Sequence, residues 1–342
     1  MACFVSSGRS CSLLNASGSR SISKRECKAF PTTTIGQTKF AGLSLQNHIK
    51  FPKNDDTVGG HQRRYTIVAA ERPYAGQHLL RTPLQVDQWV QNNQNDTHVA
   101  NLFRQRLAGR PSVQWIGDWI PDPYPTTKNF AEQALRSNSL YQICIYNIPG
   151  RDAGNYSAGG ARNADEYMRW IDSAANGLRG AGTGIIILEP DALPLIDAIR
   201  EEERKDERYQ LLSYAVDKFE LVGANVYIDI GHPRWLDPDE AARRLKLANV
   251  GRATGFCMNV SNMIGTEECE RYGNKINDKL DRKKGFVIDT SRNGAGPPEG
   301  ATGEDAWCNV PSARLGRDPS TDPGGNEYLH AYMWVKVSFS VP

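Results

Sequence analysis

Four aspartates each follow a short apolar run. Asp152 comes after Tyr141-Gln-Ile-Cys-Ile-Tyr146, Asp191 after Ile185-Ile-Ile-Leu188, Asp229 after Val226-Tyr-Ile228 and Asp289 after Phe286-Val-Ile288. Trp115, Tyr146, His232, Arg292 and Lys336 close or follow runs of the same kind. If the runs lie side by side, all these groups share one rim. Several carboxyls in one partly dry cleft cannot all ionise comfortably, so repulsion and desolvation push at least one toward general-acid behaviour. Cleavage of a glycosidic bond uses such an arrangement: one protonated carboxyl for the leaving oxygen, and another group to handle water or the anomeric carbon. Trp115, Trp119, Trp235, Trp307 and Tyr146 supply flat faces for pyranose rings, while Asn259, Asn262, Arg292 and Lys336 supply donors for sugar hydroxyls. Acids on successive strand ends can also hold Mg²⁺. That rival reading leaves the tryptophans and Lys336 without a role, so neither a metal nor a cofactor is assigned.

The elements that must present these residues are strands alternating with helices. Seven runs, at 113–116, 141–146, 185–188, 226–228, 256–258, 286–288 and 332–335, have the length and the β-branched or aromatic content of buried parallel strands. Tyr167, Trp170, Ile171, Ala174 and Leu178 form a helical stripe behind a capping Asn163. Leu211, Leu212, Ala215, Val216 and Phe219 form a second, in a helix expected to begin near Arg208, and Asp237-Pro-Asp-Glu opens a third. Strand–helix repetition predicts a parallel sheet, open or closed into a barrel, whose working groups sit at the C-terminal strand ends.

Composition bounds the rest. With 342 residues and 39% hydrophobic content, the chain can bury one large core. No stretch approaches the ~20 apolar residues of a membrane span. Residues 1–70 carry ten Lys and Arg against three acids, and nine serines fall between Ser6 and Ser44. They read as a targeting or disordered leader of plastid-transit type, with Ile67–Ala70 as its processing site; a secreted protein is the alternative. Residues 71–342 then carry 31 bases against 36 acids, which argues against nucleic acid as a partner. Cys144, Cys257, Cys269 and Cys308 show no metal-ligand spacing.

The stretches YNIPGRDAGNYSAGGA (146–161), IIILEPDALP (185–194), VYIDIGHPRWL (226–236), NVSNM (259–263), FVIDTSRNGAGP (286–297), WCNVPSARLG (307–316) and WVK (334–336) closely resemble glycoside hydrolase family 6. The resemblance implies a distorted, TIM-like α/β barrel of seven parallel strands, acting on β-1,4-glucan with inversion at the anomeric carbon; a monomer is expected. It assigns Asp191 as proton donor and Asp152 as the second aspartate, which supports the donor and the oxocarbenium-like transition state. Tyr146 matches the residue that distorts the reacting sugar, and Ser157 a mobile loop residue that positions water. Asp229, His232, Trp235, Trp307 and Lys336 match sugar contacts, as does Trp115 less closely. The short connection after Asp191 favours an open cleft and endo action over chain-end cellobiohydrolase action.

Three departures qualify that expectation. Ala153 stands where the family commonly has cysteine, so the usual disulfide is absent. His330 stands where an aspartate is usual. After WVK the chain runs to Val337-Ser-Phe-Ser-Val-Pro342, lacking the family's following Glu and Asp, its catalytic-base segment and its last helix. A weakened enzyme, or a barrel that only binds glucan, would follow, with one flank of the barrel uncovered.

Overall fold

A computed structural model describes residues 72–336, except 96, 301–309 and 311. The leader, Trp307, Cys308 and the last six residues therefore lie outside the described residues. Seven parallel strands are ordered as in the sequence: β1 (Gln114–Gly117), β2 (Tyr141–Tyr146), β3 (Gly184–Leu188), β4 (Ala224–Asp229), β5 (Gly255–Met258), β6 (Gly285–Asp289) and β7 (Leu329–Met333).

Alternation along the strands sorts the core into two layers. Ile143, Ile145, Ile186, Leu188, Val226, Ile228, Phe256 and Phe286 point outward against the helices. Cys144, Ile185, Ile187, Tyr227, Cys257, Val287, Ala331 and Met333 point inward and pack on one another. The sheet is thus curled around its own inner side chains. The outer ring is α3 (Tyr124–Ser137), α4 (Ala164–Gly177), α5 (Glu202–Leu221), α6 (Pro238–Leu247) and α7 (Thr266–Lys279), one in each of the first five crossovers. Caps fix their entry angles: Asn163 accepts from the Glu166 N–H, and Asp237 from those of Asp239 and Glu240.

Two expectations shift. The second helix begins at Glu202, not near Arg208, because its first turns are polar and expose no apolar stripe; Glu202 and Glu203 instead favour the positive helix end. The seventh run, expected at 332–335, pairs at 329–333. The Asp289 carboxylate takes the amides of Val335 and Lys336 and so draws these residues off the ladder.

Between β7 and β1 there is no ladder. Val113 N–H donates to the Trp334 carbonyl at 2.9 Å and the Trp115 indole to that of Val335 at 2.7 Å. Helices α1 (Gln85–Asn92) and α2 (Thr97–Arg106), with the turn after them, bring Val86, Val90 and Leu107 onto a fully buried Trp334. Among the described residues no helix follows β7. The result is a distorted TIM-like barrel, as the sequence predicts.

Candidate active site

Backbone strain is gathered at the C-terminal rim. Among the described residues, eight non-glycine residues have left-handed backbone; six of them are Asp152, Ala153, Glu189, Asp191, Asn259 and Ser261. The other two, Asn138 and Asn249, follow helix ends, where such geometry is routine. Strain of this kind persists where the surroundings over-determine it, and here it fixes the directions of the acids.

Asp191 and Asp229 are joined at the ends of β3 and β4. The Asp191 N–H donates to Asp229 Oδ1 at 2.9 Å, and Gly231 N–H reaches the same oxygen at 3.1 Å. Asp229 Oδ2 is buried with no hydrogen bond. Burial first, and then the Asp191 charge, hold the Asp229 carboxyl well above the usual range. Asp152 lies on the loop after β2. Its Oδ2 accepts the Ser157 N–H at 2.8 Å, while its Oδ1 is buried with no hydrogen bond. Burial raises this carboxyl too, opposed by the Ser157 amide and assisted by Asp191. Ser157 Oγ is likewise buried and unbonded. Two carboxylate oxygens and one hydroxyl near Asp191 are therefore buried with capacity to spare, an uncommon state for buried polar atoms.

Aromatic groups line the neighbouring wall. The rings of Trp115 and Tyr146 meet edge to face at 5.2 Å, and Lys336 Nζ stands 5.3 Å from the Trp115 ring. Burial, then the charges of Asp191 and Asp152, push the Tyr146 hydroxyl above its usual range, so it stays a neutral donor. On the β4 side His232 and Trp235 are half-buried with ring centres 5.5 Å apart. Burial lowers His232 to about 4, which makes it a neutral hydrogen-bonding group at ordinary pH.

Not every expected group faces the cleft in this way. Asn259 is fully buried; its Nδ2 donates to the carbonyls of Ile264 and Asp289, and its Oδ1 accepts from Ile264. Its amide hydrogens are spent on the scaffold. Asn262 is half-buried and ties Nδ2 to its neighbour Val260. Asp289 is also taken up internally, accepting four backbone amides. Trp307 falls outside the described residues. Cys144, Cys257 and Cys269 are buried free thiols. Among the described residues, no group of three or more His, Cys, Asp or Glu is arranged to hold a metal.

Two supporting residues escaped the sequence reading. Glu189 is completely buried, and its carboxyl accepts the N–H groups of Asn147 and Ile148 at 3.0 Å, tying the Asp191 turn to the strand end that leads to Asp152. Burial, resisted by those amides, raises it to about 7. Arg151 is the other. Its guanidinium stacks 4.5 Å over the Tyr146 ring and donates to the carbonyls of Tyr146 and Ser157. The signal for both was adjacency to an assigned acid, Glu189-Pro-Asp191 and Arg151-Asp152. Adjacency alone does not distinguish a brace from a spectator.

Comparison with known proteins adds an independent line. The family model for glycosyl hydrolases family 6 matches residues 74–339. Endoglucanase A of Cellulomonas fimi is 37% identical over 235 residues, 68% of this chain and 49% of that protein. The chain thus spans about half the length of that relative. Endoglucanase 1 of Streptomyces halstedii is 37% identical over 256 residues, 73% of this chain and 76% of that one. The solved endoglucanase Cel6 from Mycobacterium tuberculosis, in complex with a thio-linked cellobioside, superposes with a TM-score of 0.71 at 34% identity, covering 78% of this chain and 88% of that one. With the profile matched across the whole barrel and identity above one third over most of it, the chain belongs to glycosyl hydrolases family 6.

Proposed function

We propose that the protein hydrolyses β-1,4-glucosidic bonds of cellulose or a related β-glucan, within the chain and with inversion. The observation that carries this reading is the set of buried, unbonded atoms Asp152 Oδ1, Ser157 Oγ and Asp229 Oδ2 beside Asp191. Asp191 protonates the leaving oxygen. Asp152 Oδ1 faces the charge that develops at the anomeric carbon, and Ser157 Oγ orients the attacking water and relays the proton it loses to the Asp152 carboxylate. Tyr146, packed between Trp115 and Arg151, presses on the reacting ring. Trp115, Trp235 and Trp307 stack on sugar faces, Asp229, His232 and Asn262 bind hydroxyls, and Lys336 adds a charged donor.

Residues 192–201 alone link Asp191 to α5, so little chain is available there to roof the cleft. This supports endo action, as does the likeness to proteins named endoglucanases. Residues 71–342 are assigned as a monomeric catalytic domain. The leader is assigned to plastid targeting, with secretion as the alternative.

Reducing-sugar release from soluble carboxymethyl-cellulose tests the assignment, with viscosity followed alongside. The wild-type chain should lower viscosity early, and Asp191→Ala should fall to background. Equal, background-level release from both would reject hydrolysis and leave a glucan-binding barrel.

A further inference from the structure

The loop from Arg151 to Gly160 carries Asp152 and Ser157, and both its ends are gripped by one side chain outside it. Asp118, in the turn after β1, accepts Arg151 Nη1 on Oδ1 at 2.8 Å and the Gly160 N–H on Oδ2 at 3.1 Å. Arg151 passes this hold inward. Its Nε donates to the Ser157 carbonyl at 2.7 Å, its Nη1 to that of Tyr146 at 2.7 Å and its Nη2 to that of Ala158 at 3.4 Å. The neck is closed by the Arg151 N–H on the Gly159 carbonyl at 3.1 Å.

Glycine is needed for this fit. At Gly159, with φ +151, a Cβ would lie 2.5 Å from Arg151 Nη2 and 2.7 Å from Asp118 Oδ2. At Gly160, with φ +91, it would run into the Ile148 carbonyl. Inside the loop, Asp152 and Ala153 are held in left-handed backbone, which costs of order 1–3 kcal/mol per residue unless the surroundings impose it. Asn155, Ala158 and Gly159 are exposed. The Asp118 grip is an external constraint that reaches both ends of the loop, and it comes from a side chain that is itself 38% exposed.

We propose that Asp118 is a positioning residue that latches the 151–160 loop against the end of β1, so that Asp152 and Ser157 face the cleft in working geometry. The inference rests on the reading of those two residues given above. Asp118 itself touches no reacting atom. Its loss lets the loop relax away from Tyr146 while the barrel stays folded.

The test uses the full chain and the variants Asp118→Ala and Asp118→Asn. A displacement of ~1 Å in a reacting group costs about 100-fold, so Asp118→Ala should lower kcat on soluble glucan ~10–100-fold. KM should change less than ~3-fold, because the binding wall is untouched. Amide exchange over residues 153–160 should quicken ~10-fold or more with the thermal midpoint nearly unchanged. Asp118→Asn retains one acceptor and should fall between. A folded Asp118→Ala protein with wild-type kcat and wild-type exchange overturns the latch. A rise in KM without faster exchange overturns it too, since Asp118 would then contact substrate. Should Asp118→Ala not fold, Asp118→Asn decides: its exchange at 153–160 must quicken relative to wild type, and unchanged exchange overturns the latch. If no chain turns over glucan, the hydrolase reading fails while the exchange measurements still judge the latch.

Discussion

Asp229 at the end of β4 and Asp289 at the end of β6 are equivalent in sequence and alike in depth, each 1% exposed. Their bonding is opposite. Asp289 shares its two oxygens among the amides of Ser261, Ser291, Val335 and Lys336 at 2.9–3.2 Å. Asp229 takes two amides on one oxygen and leaves the other buried and unbonded. The first is a clasp that ties the ends of β5, β6 and β7. The second is a half-used acceptor beside Asp191. A strand-end aspartate therefore becomes informative through its unbonded atoms, not its place in the chain.

Substitutions can break that contrast. Asp191→Asn keeps the shape and removes the transferable proton, so kcat should fall ~1,000-fold with an unchanged melting midpoint. A drop below 10-fold would move the donor elsewhere. Asp289→Ala strips four amides of their acceptor and should destabilise the barrel by about 3 kcal/mol, read in a urea titration. Asp229→Asn removes a desolvated carboxyl that has one unbonded oxygen. It should leave stability within about 1 kcal/mol of wild type, with a raised KM for glucan. Equal destabilisation by the Asp289→Ala and Asp229→Asn changes would erase the distinction.

The barrel was legible because buried parallel strands leave uninterrupted β-branched runs, and every run sits in or beside a strand. The last run slipped by three residues, since the pull on Val335 and Lys336 comes from Asp289, more than forty positions away. The assigned acids were legible as motif residues. The Asn259 amide is used up by Ile264 and Asp289, partners that no local pattern names. Asp118 and Arg151 stayed hidden for the same reason: their ion pair spans 33 positions and exists only once β1 lies beside β2.

The contrast between mouth and scaffold recurs in two histidines, and there it is finest. Burial lowers both His232 and His330 to about 4, against an ordinary value of 6.5. His232 stands at the mouth with Trp235. His330 is the extra residue where the β6–β7 register shifts, and its Nδ1 pairs with the Tyr227 hydroxyl, which in turn receives that of Tyr74. Ligand should separate them. Titrating a cello-oligosaccharide into an Asp191→Asn protein should move the His232 ring signals in NMR and leave those of His330 in place. Acid should not separate them. Between pH 6.5 and 4 the unfolded chain protonates each histidine and the folded chain does not, so stability falls as pH falls through that window. Glu189, raised from 4.5 to about 7, acts in the opposite sense: the folded chain holds its proton where the unfolded one has lost it, so stability falls as pH rises from 4.5 to 7. The wild-type profile thus sums contributions of opposite sign. The diagnostic quantity is the difference between wild type and His330→Gln, which should change by up to ~1 kcal/mol per pH unit between 4 and 6.5 and by nothing above it. A difference that stays constant from pH 4 to 8 would mean that the Tyr74–Tyr227–His330 chain contributes through packing and hydrogen bonding alone.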